Sequence, residues 1–335
     1  MAWEAEWDLP RPWRVAPLAR GTNNDVWRVE TPAGIYVLRV YRNRTSAGRL
    51  RFEHELLRRL AAAGLPFALP VPIPTRTGAD SATILLKDGE TAPATLTPLI
   101  PGAPPTRSDL AQARAAGEAL GLLDATLAGI VPSHPEDAIT WRSSGDLTRC
   151  HSLVPDPTAA IETLPLETDA RGRLVARYRW LMERIPALYA SLPQQIVHDD
   201  FDPGNVLMEG EHVTGVLDFE FCGWDLRVMD LVVALTWWPV AVFGSGREWP
   251  VLAALAQGYK RHVALAAAEI EAIPVLFVFR AYTSLIHRLG RYRLGLSSEN
   301  DVLERAHAAL SREDWLRAND TRLVATVREA ALTAM

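Results

Sequence analysis

The chain has 335 residues, 48% of them apolar and 22% charged, ordinary globular usage that excludes a disordered, collagen-like or coiled-coil protein. A formal charge of −5 gives no basic footprint for nucleic acid or for an anionic membrane surface. The length fits two domains or lobes.

The first ten residues carry Glu4, Glu6 and Asp8 and lack the basic start and apolar core of a secretory signal. Residues 13–100 read as strand-rich. Apolar runs at 26–30 and 35–41 flank Thr31-Pro32-Ala33-Gly34, whose proline and glycine predict a hairpin. Ser46 is placed to cap a helix over 47–63, in which Leu50, Glu53, Leu57 and Leu60 share a face and Gly64 ends it. Two further strands are expected at 82–87 and 95–99, around an Asp88-Gly89 turn. This region, 1–100, reads as a small sheet with one helix.

Pro101-Gly102-Ala103-Pro104-Pro105 marks the expected boundary, before a helix that Ser108 is placed to cap. Helical periodicity follows at 109–127, 170–192, 229–241, 251–263, 269–289, 302–311 and 323–333, so 101–335 reads as mainly helical. Its exception is a second hairpin, 205–208 with 213–219. The longest apolar stretch, 231–243, holds Thr236 and Pro239 and falls short of the roughly 20 residues that span a bilayer. Two cysteines, Cys150 and Cys222, are too few for a disulfide framework or a four-ligand zinc site and suit a reducing cytoplasm. We therefore expect a cytoplasmic protein with no membrane or nucleic-acid partner. Lysine occurs only at Lys87 and Lys260; the other basic residues are arginine.

The second hairpin gathers the chemistry. The run His198-Asp199-Asp200-Phe201-Asp202-Pro203-Gly204-Asn205 sets a carboxylate five residues before an amide, and Asp218 returns at the end of the next strand. A tight turn brings Asn205 and Asp218 to one edge. Hard oxygen donors there suit Mg²⁺, which keeps waters and shares itself with substrate phosphates, while Asp200 is left to accept a hydroxyl proton.

This pattern, His-x-Asp-x-x-x-x-Asn followed by Asp218-Phe219, resembles the catalytic and metal loops of the protein-kinase-like superfamily. Residues 216–220 with Met229-Asp230-Leu231 look like its aminoglycoside phosphotransferase and choline kinase branch, nearest the bacterial phosphotransferases similar to the second type of homoserine kinase. The resemblance implies an α+β, two-lobed protein-kinase-like fold and an ATP- and Mg²⁺-dependent small-molecule kinase. It assigns Asp200 as catalytic base, His198 as the residue shaping its loop, Asn205 and Asp218 as metal ligands, and Asp230 as a buried carboxylate tying the next helix to that loop. In the first lobe it implies a phosphate-covering loop at Gly21-Thr22-Asn23-Asn24-Asp25-Val26-Trp27, with Gly21, Thr22 and Asn23 as its nucleotide-binding residues, a phosphate cation at Arg39, where lysine is usual, with Glu53 as its helix partner, and a hinge at 99–102.

The acceptor is open between two readings. From Asp199 to Asp230 there are nine acids and one base, which favours a cationic acceptor; Asp202 and Glu220 would face it, and Trp224, Trp237 and Trp238 offer walls for a quaternary amine. Against this, Arg280, Ser284, His287, Arg288 and Arg291 recur at helical spacing and offer a carboxylate or phosphate site, with Arg280 and His287 as its leading residues. A nucleotide-binding pseudokinase and a metal-dependent hydrolase are the competing functional classes.

Overall fold

The computed structural model describes residues 3–20, 24–42, 46–86 and 89–332. Five antiparallel strands form the first sheet in the order β1-β2-β3-β5-β4: β1 (Arg14–Arg20), β2 (Asn24–Thr31), β3 (Gly34–Tyr41), β4 (Ala82–Leu85) and β5 (Thr91–Pro98). The expected first hairpin forms, with Thr31 opposite Gly34 and Arg39 between Val26 and Thr95. Val29, Leu38, Val40, Ala94 and Leu96 alternate inward, and Trp3 and Trp7 of the amino-terminal segment close the same core. The indole of Trp7 donates to the Ile73 carbonyl at 3.0 Å.

Helix α1 (Ala47–Ala62) is capped by Ser46, whose hydroxyl accepts from the Arg49 N–H at 3.2 Å. Its apolar face, Phe52, Leu56, Leu57 and Leu60, joins the large core of the helical part and not that of the sheet. At the start of α1, Arg49 donates to the carbonyls of Asp137, Glu220 and Cys222, while Glu53 of the same helix faces Arg39 and Tyr41 of β3.

The helical part contains α2 (Leu110–Leu127), the short α3 (Pro135–Ala138) and α4 (Pro157–Glu162), then α5 (Thr168–Ser191), α6 (Val228–Trp237), α7 (Glu248–Tyr259), α8 (Ala267–Arg293) and α9 (Glu299–Leu332). Asp109, not Ser108, caps α2, accepting from the N–H groups of Ala111 and Gln112 at 2.9 and 3.1 Å. Helices α2 and α7 touch backbone to backbone: a Cβ on Gly117 would lie 2.2 Å from the Leu255 oxygen, and one on Gly121 2.4 Å from that of Tyr259. The two helices expected after residue 300 are one, α9, because Arg312, Glu313 and Leu316 are buried where the apolar period lapses. By length and composition α8 is apolar enough to cross a membrane, and 72% of its apolar window is buried inside the protein.

Two short pairings complete the frame. Strands β6 (Gln194–Val197) and β9 (Gly223–Leu226) pair with each other, and β7 (Val206–Glu209) pairs with β8 (His212–Val216) as the expected second hairpin. The 99–105 crossing is stitched to that hairpin. Ala103 bridges Met208, Thr214 donates to the Pro101 carbonyl at 2.7 Å, and Gly102, at φ +123°, leaves no room for a Cβ beside Thr214.

Candidate active site

The loop between β6 and β7 is fixed from below. Asp230, fully buried in the first turn of α6, accepts the N–H groups of His198 and Asp199 at 2.6 and 2.5 Å. Burial and the neighbouring Asp230 carboxylate push the Asp124 pKa well up, and Asp124 accepts from the Tyr259 hydroxyl at 2.6 Å. His198 spans the loop: its Nε2 donates to the Leu217 carbonyl at 2.9 Å, and its Nδ1 accepts from the Asp200 N–H at 3.2 Å. That arrangement requires a neutral ring, and burial lowers the His198 pKa in the same direction.

Asp199 takes the left-handed φ of 60° and turns its buried carboxylate onto Arg142, which sits in the 141–144 turn. Asp200 has partners of its own. Its carboxylate accepts from Arg280 Nη2 at 3.1 Å and from Asn205 Nδ2 at 3.1 Å, and its carbonyl accepts from the same amide at 2.9 Å. Burial, with Asp218 and Asp202 nearby, raises the Asp200 pKa to about 7 despite the opposing pull of Arg280. Asp202 caps the 203–205 turn through the Gly204 N–H at 2.7 Å and lies 3.8 Å from Arg107.

Asp218, also left-handed, follows β8 at the mouth of a cleft of about 500 Å³ between the sheet and the hairpin. Across that cleft Arg39 Nη2 meets Asp218 at 2.8 Å and Glu220 at 2.9 Å, and its Nη1 lies 3.6 Å from Glu53. Burial raises the Glu53 pKa to about 7 against the pull of Arg39, and the Tyr41 hydroxyl donates to Glu53 at 3.2 Å. Val26, Val37, Leu57, Leu99, Ile100 and Leu207 give the cleft apolar walls.

The structure thus gathers Asp200, His198, Asn205, Asp218, Arg39 and Glu53 around one edge. Glu220, expected beside the acceptor, is taken up instead by Arg39 and by the Asn24 amide at 2.8 Å, because the 219–221 turn folds it back to the cleft. Arg280 does reach Asp200, whereas His287 packs against the rings of His151 and Phe221, with burial and nearby Arg142 pushing its pKa down to about 3. Gly21, Thr22 and Asn23, like Lys87, lie outside the described residues. Arg142, Arg49 and Tyr41 were not anticipated as site residues, because their partners lie on other elements of the fold.

Among the described residues no group of three His, Cys, Asp or Glu side chains could hold a metal. Asn205 and Asp218 nevertheless suit a hard cation completed by phosphate oxygens and water: the Asn205 amide donates through Nδ2, leaving its oxygen available, and Arg39 engages only one Asp218 oxygen.

This chain superposes on a solved structure of a microcompartment-associated aminopropanol kinase with a TM-score of 0.76, covering 96% of this chain and 98% of that one at 18% identity. It matches an amicoumacin kinase in complex with AMP-PNP and Ca²⁺ with a TM-score of 0.70, covering 92% and 90% at 19% identity. The fold is therefore the protein-kinase-like one, a small antiparallel sheet lobe on a larger helical lobe. A homoserine kinase of Caulobacter sp. (strain K31) is 31% identical over 280 residues, 82% of this chain and 80% of the relative. The model of the phosphotransferase enzyme family matches residues 14–269, and the chain belongs to that family. It is a small-molecule kinase whose acceptor group is an alcohol.

Proposed function

We propose that the chain transfers the γ-phosphoryl group of ATP, with Mg²⁺, to the hydroxyl of a small molecule, with Asp200 as the base. The observation that carries this is the Asp200 carboxylate, aimed by Asn205 and Arg280 beyond a loop locked by Asp230, next to the cleft mouth at Asp218. In the transfer the acceptor proton passes to Asp200 and the acceptor oxygen bonds to the γ-phosphorus. The bond from that phosphorus to the bridging oxygen breaks and ADP leaves. Asn205 and Asp218 would hold magnesium, which would neutralise the phosphate oxygens. The apolar cleft walls suit a nucleotide base, and Arg39 offers a forked cation to the phosphates. The separate core of the sheet supports a division near residue 100, with α1 siding with the larger lobe.

One observation favours the nucleotide-binding module without transfer: Arg39 is already bound to Asp218, a proposed metal ligand. Coupled ADP release decides between them. Magnesium-dependent release that requires an added amino alcohol, hydroxy amino acid, aminoglycoside or sugar, with a phosphate ester seen by ³¹P NMR, supports the kinase reading. ATP binding with no acceptor-dependent ester overturns it.

A further inference from the structure

The acids between Asp199 and Asp230 do not make an anionic acceptor pocket. Asp199 is neutralised by Arg142, and Glu220 by Arg39. Asp225 accepts from Tyr189 and the Leu226 N–H, Asp230 accepts from the catalytic loop, and Glu209 and Glu211 stand exposed on the hairpin tip. Asp218 is paired with Arg39 at the cleft mouth, which leaves Asp200 and Asp202 on the acceptor side, facing Arg280 and Arg107.

Arginines in excess of these acids approach from α9. Arg305 and Arg312 are seven residues apart and so share a helix face, and both guanidinium carbons lie 5.1 Å from the Trp237 ring centre. Trp237 is tied to the acceptor side through its carbonyl, which accepts from Arg107 at 2.6 Å, while another nitrogen of Arg107 faces Asp202. Among the described residues neither α9 arginine has a carboxylate within ion-pair distance. Arg312 is only 8% exposed, and its one hydrogen bond is a 3.4 Å contact to the Thr236 carbonyl. Two buried donors beside it, Arg280 Nε and Trp237 Nε1, have no hydrogen-bond partner among the described residues. The crowding is felt as repulsion: burial, then Arg305 and Arg280, pull the Arg312 pKa to about 9, and burial, then Arg288 and Arg280, lower that of Arg305. The other two tryptophans do not wall an amine site: Trp238 is buried core and Trp224 is exposed on β9.

A buried guanidinium without a counter-charge, as at Arg312, is costly, and a bound dianion removes that cost. We propose that Arg305 and Arg312, with Arg280, form an anion subsite beside Asp200, so that the acceptor is an alcohol that also carries a dianionic group, a phosphate or a pair of carboxylates. The inference rests on the reading of Asp200 as the base. A zwitterionic or cationic amino alcohol would bring an ammonium group into a space whose described carboxylates already have arginine partners.

The test uses the full chain in two measurements. Calorimetric titration with inorganic phosphate and with malonate reads the subsite itself and separates the phosphate from the dicarboxylate source. Binding of at least one is expected, weakened at least ~10-fold in Arg305→Gln and Arg312→Gln and less in Arg312→Lys. Equal binding by parent and variants, or none by the parent, overturns the subsite. Coupled ADP release then compares glycerol 3-phosphate and malate with homoserine, 1-amino-2-propanol and choline. A dianionic acceptor is expected to exceed the others in kcat/KM by at least ~10-fold, with the Gln variants raising its KM more than they lower kcat. Preference for an amino alcohol, unaffected by these variants, overturns the inference and leaves the kinase reading intact. Variant-sensitive binding of phosphate or malonate with no ester formed from any acceptor supports the anion subsite and overturns the kinase reading, and with it the dianionic acceptor.

Discussion

Arg39 on β3 and Asp218 after β8 close the cleft with a 2.8 Å ion pair, although 179 residues separate them in sequence. The same guanidinium holds Glu220 and approaches Glu53, both only 5% exposed at the side chain, so Arg39 neutralises a buried acidic cluster. Removing one partner of such a cluster strands the others. Arg39→Ala is expected to lower the unfolding free energy by about 3–5 kcal/mol and to weaken ATP binding strongly. Arg39→Lys keeps the charge and loses the fork, which gives intermediate values of both. Urea unfolding beside ATP titration checks this, and parental behaviour of both variants would show that the cluster carries neither stability nor phosphate contact.

Asp200 makes the pH dependence specific. With its pKa raised to about 7, the carboxyl is protonated below that pH and cannot take the acceptor proton. The acceptor kcat/KM is therefore expected to rise with pH through about 7 and then level. Arg280 favours the ionised form, so Arg280→Gln should move this limb to higher pH, whereas Glu53→Gln should leave it in place even though Glu53 titrates nearby. Asp200→Asn should cut kcat by at least about 10²-fold, in line with general-base contributions, with ATP binding retained. A near-parental kcat would move the base elsewhere in the loop.

Asp230 carries the loop on two backbone N–H groups. Asp230→Asn turns one acceptor oxygen into a donor facing one of those N–H groups, and leaves a buried donor unsatisfied at a cost of about 1–3 kcal/mol. Lower thermal stability together with a kcat loss larger than any change in the KM for ATP is the expected signature. A stable variant with parental kcat would show that His198 alone shapes the loop.

The parts of the site that the sequence made legible are those fixed by local spacing. His198 to Asn205 is one loop, and the β7–β8 turn returns Asp218 to it whatever the rest of the chain does. Glu53 was legible for a similar reason, because it sits on the inward face of a helix whose cap and stop are both visible. The partners of Arg39 beyond Glu53 were not, since an ion pair across the cleft leaves no trace in periodicity. Arg142 was hidden in a turn with no repeat at all. Strands β6 and β9 are four residues each, too short for alternation to declare itself. Between 311 and 323 the apolar period lapses, so the continuity of α9 was not legible, although Arg312 and Glu313 are buried there.

The metal ligands separate by charge and by their other duties. Asp218 offers a carboxylate about one-third exposed at the cleft mouth, with one oxygen on Arg39. Asn205 offers a neutral oxygen, while its amide also holds Asp200 in place through two hydrogen bonds. Asp218→Ala should therefore weaken magnesium-nucleotide binding more than Asn205→Ala does, because it removes formal charge from the ion. Asn205→Ala should cost more in kcat than in nucleotide affinity, because it frees the Asp200 carboxylate and strips a hydrogen bond from its carbonyl. Asp218→Asn tests the charge alone: it keeps a ligand oxygen, loses the attraction to both magnesium and Arg39, and should bind the magnesium nucleotide between Asp218→Ala and the parent. Titration of ATP with and without magnesium, followed by single-turnover phosphoryl transfer, separates these effects. Parental magnesium-ATP affinity in both alanine variants would place the metal on other oxygens.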